Sequence, residues 1–89
     1  MLNKQVVISN KLGLHARAAA KLVHLAGRFA SEIHLIKNNH TVNGKSIMGV
    51  MMLAASKGTE LELTATGEDE AEAIAALEKL INDRFGEAE

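Results

Sequence analysis

The sequence predicts an α+β fold, a two-layer open-faced sandwich in which a four-stranded antiparallel sheet is covered on one face by three helices. Period-two alternation of apolar side chains indicates the strands, and apolar residues three or four positions apart indicate the helices. The resulting order is βαββαβα. Too few residues separate the second and third strands for a parallel crossover, so this pair is antiparallel. We expect one domain spanning residues 1–89.

The four predicted strands differ in how clearly they alternate. We place them at residues 2 to about 9, 32–36, 41–43 and 60–66. Residues 37–40 form a turn, so the second and third strands make a hairpin. The fourth strand has the clearest alternation, and we expect its inward side chains to be Leu61, Leu63 and Ala65.

The first two predicted helices have different apolar surfaces. The first runs from about Ala16 to Gly27, with one buried face that carries Leu22, Val23, Ala26 and Phe29. The second runs from Ile47 to Ala54, is capped by Ser46 and is closed by Lys57 and Gly58. It is apolar nearly all the way round, and a helix on one side of a sheet cannot bury every face.

The last predicted helix follows the usual charge rules. Acids lie at its start, between Glu68 and Glu72, and cations lie near its end at Lys79 and Arg84. Its buried stripe is predicted to contain Ile74, Leu77, Ile81 and Phe85. Residues 86–89 are expected to be frayed.

Composition excludes several classes of function. The chain has no cysteine, which excludes disulfides and thiol catalysis. Its net charge is −1 and its only aromatic residues are two Phe, so we expect no nucleic-acid partner. The four His lack metal-ligand spacing, and we expect no metal or cofactor. No apolar run or leader suits a membrane, so we expect a cytoplasmic monomer without membrane insertion.

The first helix begins in an unusual way. Helix N-termini carry unpaired N–H groups and partial positive charge, and chains usually place capping residues and acids there. Here none of these is present, so we expect an uncapped start: Gly13 and His15 precede the helix, and Arg17 and Lys21 add positive charge to its first turns. Free N–H groups, a guanidinium and an imidazole together predict a site for a phosphoryl group. A neutral His15 would be nucleophilic there.

The segment Gly13-Leu14-His15-Ala16-Arg17, followed by an Ala-rich helix, resembles the active-site signature of HPr proteins, the histidine-containing phosphocarriers of the bacterial phosphoenolpyruvate-dependent phosphotransferase system. Essentially the whole chain is similar to this family, including the segments at 44–46, 57–59 and 67–70. Many members have Pro at the position of Ala18, which would pre-set the helical φ without needing a partner for an N–H group. Replacing it by Ala is a conservative departure from the family pattern. The nitrogen-branch homologue NPr shares the motif, so the branch stays open.

The resemblance implies a strand order of 1-4-2-3 and a phosphocarrier function. His15 would accept a phosphoryl group on Nδ1 from enzyme I, which takes it from phosphoenolpyruvate, and would pass it to a IIA component for sugar uptake or its regulation. Arg17 would stabilise the phosphate, and Ala16 would contribute its backbone N–H. The protein would be a phosphoryl-transfer intermediate and not an enzyme. An alternative of another class is a small interaction module that transfers nothing.

Ser46 has both a structural and a regulatory interpretation. As an N-cap it would stabilise the second helix by about 1 kcal/mol. In relatives with an HPr kinase the matching serine is phosphorylated, so the resemblance also implies HPr kinase/phosphorylase as a partner. The segment Gly44-Lys45-Ser46 imitates the end of a phosphate-binding loop, but position 39 is Asn and no parallel βαβ unit precedes it.

The methionine-rich second helix suggests a docking surface. Val50 and Leu53 suit the core, whereas Ile47 could face either way. We interpret the other apolar residues as an adaptable patch for acidic partners, with a basic rim on and after the first helix. The predicted patch contains Ile47, Met48, Met51 and Met52, and the rim contains Arg17, Lys21, His24 and Arg28. His34 and His40 are interpreted as ordinary surface or core residues.

Overall fold

The computed structural model describes all 89 residues. Four strands, three helices and one short 3-10 helix follow one another as β1 Leu2–Val7, α1 Ala16–Ala26, β2 Glu32–Lys37, β3 His40–Asn43, α2 Ile47–Met52, β4 Glu60–Thr66, α3 Glu70–Asn82 and the 3-10 helix Arg84–Gly86. This confirms the predicted α+β class and the order βαββαβα. None of the helices combines the length and hydrophobicity needed to cross a bilayer.

The strands form one antiparallel sheet in the order β1-β4-β2-β3, as the resemblance implied. The hairpin between β2 and β3 is tighter than predicted, because Lys37 pairs directly with His40. Only Asn38 and Asn39 form the loop, and both have positive φ, at 49° and 70°. Asn tolerates this conformation well, which is why a two-residue turn fits here.

The core lies between the sheet and the helices. Twenty buried apolar side chains form one cluster, which includes Leu22 of α1, Val50 of α2 and Leu77 of α3. The inward residues predicted for β4, Leu61, Leu63 and Ala65, are all completely buried. α3 contacts β1 and β4, and α1 contacts both α2 and α3. The three helices therefore cover one face, as predicted.

Two helices end earlier than the sequence predicted. α2 ends at Met52 because Ala54 adopts a left-handed conformation with φ of 51°. The Lys37 ammonium donates to the carbonyl oxygens of Leu53 and Ala54 at 3.0 and 3.4 Å, so Lys37 closes this helix instead of Lys57 and Gly58. α3 ends at Asn82.

The stretch that follows α3, residues 84–89, is called the C-terminal segment below. Its Phe85 is fully buried, as predicted, but lies in the 3-10 turn with φ of 55° and not on α3. The expectation of a frayed tail is wrong. The backbone N–H of Lys11 donates to the carbonyl oxygen of Glu89 at 2.9 Å, and the Lys21 ammonium donates to that of Phe85 at 2.6 Å. The segment is thus folded back along the loop that precedes α1.

Candidate functional site

The loop before α1 is held in place by a close backbone contact. Gly13 has a φ of +68°, and a Cβ atom at this position would lie 2.4 Å from the Ala55 carbonyl oxygen. Only glycine fits such a combination of left-handed backbone and close approach. The next N–H, of Leu14, donates to the same Ala55 oxygen at 2.8 Å. This contact fixes the position from which His15 projects.

His15 is the N-cap of α1. Its backbone is extended, with φ of −72° and ψ of 178°, and its Nδ1 accepts a hydrogen bond from the Arg17 N–H at 3.3 Å. The first helical bond runs from the Ala19 N–H to the His15 carbonyl. The sequence suggested a start without any cap, and this is wrong because the imidazole takes the place of a serine or aspartate oxygen.

The start of α1 otherwise keeps the properties of an anion site. The N–H groups of Ala16 and Ala18 donate to no acceptor in the chain, and the first turn has no acid. Arg17 is exposed, and its guanidinium forms no ion pair. Unpaired N–H groups, the helix dipole and a free guanidinium all favour a phosphate beside His15.

Glu87 is the functional candidate that sequence reasoning missed. One oxygen of its carboxylate contacts Nε2 of His15, and the other accepts a hydrogen bond from Asn10 at 2.9 Å. The hydrogen bond from Asn10, followed by that from His15, holds the pKa of Glu87 below its usual range. The only sequence signal was an acid near residue 89. Such a signal does not show where in the fold this part of the chain packs.

An open depression surrounds these groups. It is lined by residues of the loop, the start of α1 and the C-terminal segment, namely Lys11, Leu12, His15, Ala16, Arg17, Glu87, Ala88 and Glu89. His15 keeps 27% of its side chain exposed, so a partner protein can reach the ring. A nucleophilic nitrogen beside anion-binding groups, on an open surface, is suited to accept and release a phosphoryl group.

Comparison with known proteins agrees with this chemistry. A family model described as the phosphorylation site of the HPr component of the phosphotransferase system matches residues 2–83. The chain belongs to the HPr family of phosphocarriers. The phosphocarrier protein HPr of Neisseria meningitidis is 58% identical over 89 residues, covering 100% of both chains. That of Pseudomonas aeruginosa is 57% identical over 86 residues, covering 96% of each.

Solved HPr structures share the fold. HPr-C-His from Thermoanaerobacter tengcongensis matches with a TM-score of 0.97 at 49% identity, covering 100% of both chains. A structure of an HPr dimer from the same organism matches with a TM-score of 0.79 at 50% identity, covering 98% of this chain and 100% of the other.

The residues of the predicted docking patch lie on the surface of α2. Met48 and Met52 are the most exposed, at 70% and 78%, and Ile47 and Met51 are 42% exposed. From the sequence, Ile47 could face either the core or the surface. Its exposure shows that this side chain lies outside the core. Val50 and Leu53 are buried, as predicted. The four residues of the predicted docking patch are therefore exposed, whereas their role in docking stays a prediction.

Ser46 lies at the start of α2, and the residues of the predicted basic rim lie on α1 or just after it. Ser46 is the N-cap of α2, and its hydroxyl accepts a hydrogen bond from the Gly49 N–H at 3.1 Å. His24 and Arg28 are exposed, and α1 contacts α2. Lys21 was predicted to belong to the same basic rim, but its ammonium donates a hydrogen bond to the carbonyl oxygen of Phe85 in the C-terminal segment.

Proposed function

We propose that this HPr-family protein accepts a phosphoryl group on Nδ1 of His15 from phospho-enzyme I and passes it to a IIA component. The observation that carries the proposal is the position of this atom. Nδ1 faces the backbone N–H of Arg17 at the start of α1, where the dipole and the free N–H of Ala16 favour phosphoryl oxygens. The group would come originally from phosphoenolpyruvate and would serve sugar uptake or its regulation.

Arg17 stabilises the transferring group in this proposal. Its free guanidinium, two residues after His15, carries the charge and the paired donors that bind phosphate through two hydrogen bonds. The protein acts as a carrier, since an open surface site lets donor and acceptor reach the same nitrogen in turn. We further propose that it works as a monomer in the cytoplasm and that the apolar residues of α2 contact both partners. Phosphorylation of Ser46 by an HPr kinase/phosphorylase would regulate these encounters.

Incubation with enzyme I and phosphoenolpyruvate tests the proposal. Mass spectrometry should detect one added phosphate, which is labile in acid and stable in alkali. His15→Ala should accept none, whereas the control His34→Ala should be phosphorylated like the wild type. A His15→Ala protein that still accepts the group would refute the assignment. A wild type that binds partners but accepts no phosphate would favour the interaction module.

A further inference from the structure

The imidazole of His15 is held at both of its nitrogens. Nδ1 accepts from the Arg17 N–H at 3.3 Å, and Nε2 contacts the carboxylate of Glu87. A peptide N–H can only donate a hydrogen bond, and an ionised carboxylate can only accept one. Both contacts are satisfied together by a single form of the ring, the neutral imidazole with its proton on Nε2. That form leaves the lone pair on Nδ1, the atom at the helix start.

The carboxylate of Glu87 is fixed in turn by a buried amide. Asn10 donates from Nδ2 both to Glu87, at 2.9 Å, and to the Gly13 carbonyl, at 2.8 Å. The Asn10 side chain is fully buried, and its Oδ1 has no hydrogen-bond partner. Leaving a buried acceptor without a hydrogen-bond partner costs free energy, so other contacts must keep the Asn10 side chain in this position. Here its Nδ2 is aimed at the acid behind His15.

Anchoring of the C-terminal segment does not explain the contact between Glu87 and His15. The Lys21 ammonium binds the carbonyl of Phe85 before Glu87, and the Lys11 N–H binds that of Glu89 after it. The segment is therefore tied to the rest of the protein on both sides of Glu87. The Glu87 side chain is only 16% exposed, which limits competition from water for its contact with the ring.

We propose that Glu87 is a positioning residue, which holds His15 with its proton on Nε2 and balances the charge of the ring while it carries a phosphoryl group. This inference rests on the proposed function. In the transfer step the Nδ1 lone pair bonds to phosphorus, and the bond between phosphorus and the donor breaks, with its electron pair leaving on the donor atom. The proton stays on Nε2. The ring then bears a positive charge, which lies against the Glu87 carboxylate.

The reverse step uses the same contact. When the phosphoryl group moves to the acceptor, the bond between Nδ1 and phosphorus breaks and its electron pair returns to Nδ1. The ring becomes neutral again with its proton still on Nε2. A carboxylate placed behind a histidine fixes the tautomer and stabilises the cationic ring in Ser-His-Asp triads by the same physical effect. Because the proton never has to move, each transfer needs only the phosphoryl group to change place.

The first measurement is the tautomer of unphosphorylated His15, read from ring nitrogen-15 shifts and couplings at neutral pH. The wild type should show the proton on Nε2. Glu87→Gln should keep it there, because the amide oxygen can accept from Nε2–H. Glu87→Ala should lower the fraction with the proton on Nε2, because only the contact from the Arg17 N–H then favours that form. Asp83→Asn removes an exposed acid just before the C-terminal segment that does not line the depression around His15, so it should match the wild type.

The second measurement is the equilibrium between phospho-enzyme I and phosphorylated His15. Glu87→Gln keeps the orientation but loses the negative charge, so the fraction of phosphorylated protein should correspond to an equilibrium constant about tenfold lower. Glu87→Ala should lower it at least as much. Asp83→Asn should leave it unchanged, which separates a contact with the ring from the net charge of this part of the protein.

Each result has a distinct meaning. An unchanged tautomer in Glu87→Ala, together with an unchanged equilibrium, would overturn the inference while leaving His15 as the acceptor. A loss in Glu87→Gln that Asp83→Asn reproduces would also overturn it, because net charge alone would then account for the effect. If the wild type accepts no phosphoryl group, the proposed function fails, and the tautomer measurement alone decides whether Glu87 orients His15.

Discussion

The carboxylate of Asp69 accepts hydrogen bonds from both the hydroxyl and the backbone N–H of Ser31. Its second oxygen accepts from the Ala30 N–H at 2.8 Å, so Asp69 joins the start of α3 to the turn after α1. The hydrogen bond from the Ser31 side chain is the largest cause that lowers the pKa of Asp69. The acid was expected to complement the α3 dipole, but its side chain makes no cap bond to that helix.

The depressed pKa of Asp69 gives a pH-dependent stability. Its contribution is complete above the ordinary aspartate pKa of about 3.9 and is lost as the pH falls through the lower folded-state pKa. Asp69→Asn places an amide donor against N–H donors, so it should lower the melting temperature at pH 7. The difference from the wild type should shrink as the pH falls below about 3.9. Thermal denaturation followed by circular dichroism checks this, and a gap that stays constant with pH would contradict it.

Gly13→Ala should destabilise the protein more than Gly58→Ala. Both glycines have positive φ, at +68° and +89°, so alanine at either position incurs a backbone penalty of about 1–2 kcal/mol. A Cβ at Gly13 would in addition meet the Ala55 oxygen at 2.4 Å, whereas nothing lies within 4 Å of one at Gly58. Urea denaturation should therefore give a clearly larger loss for Gly13→Ala. Equal losses would mean that the contact with Ala55 relaxes freely.

Much of the fold could be predicted because the periodicity of apolar residues reflects burial directly. In β4, Leu61, Leu63 and Ala65 alternate because one face of the strand packs on the helices. The boundaries were less accurate. The end of α2 depends on the backbone of Ala54 and on the Lys37 ammonium. Because Lys37 is distant in sequence from the helix end, local sequence patterns could not predict this contact.

The site was predictable only in part, for a related reason. His15 and Arg17 belong to one local motif at a helix start, so their proximity follows from the sequence. Glu87 reaches His15 across 72 positions of the chain, by way of a turn in which Phe85 has positive φ. Non-glycine residues rarely adopt this conformation, and composition alone therefore indicated a frayed end.

Arg17→Ala should slow phosphoryl transfer to His15 by about tenfold to a hundredfold, because charge-assisted hydrogen bonds are worth about 1.5–3 kcal/mol. Arg17→Lys keeps the charge but loses the two-pronged geometry, so its rate should be intermediate. Quench-flow kinetics with phospho-enzyme I gives the rates. Because Arg17 is exposed and unpaired, thermal stability should hardly change in either variant. Unchanged rates would make Arg17 an ordinary solvated charge.

Met48→Asp should weaken binding to enzyme I without unfolding the protein. Its side chain is 70% exposed, so a charge there costs little stability but places a desolvated carboxylate in the proposed apolar contact. Ala71→Asp is the control, since Ala71 is exposed in the first turn of α3, a helix that packs on β1 and β4. Titration calorimetry should show weaker binding for Met48→Asp alone. Early melting of Met48→Asp would instead place this methionine in the core.

Ser46 offers a test in which its capping role and its proposed regulatory role can be separated. Its hydroxyl caps α2 through the Gly49 N–H, so Ser46→Ala should cost about 1 kcal/mol of stability while adding no charge. Ser46→Asp keeps an acceptor for this N–H and adds a negative charge at a helix start, where it is electrostatically favourable.

The two variants should therefore change different properties. Ser46→Ala should be less stable but phosphorylated on His15 at the wild-type rate. Ser46→Asp should be nearly as stable as the wild type but phosphorylated more slowly, because its charge lies next to the exposed Ile47 and repels acidic partners. The rates are best compared at low ionic strength, where repulsion between surface charges is least screened. If Ser46→Asp and the wild type react equally fast there, the electrostatic argument for regulation fails, and the hydroxyl of Ser46 serves α2 alone.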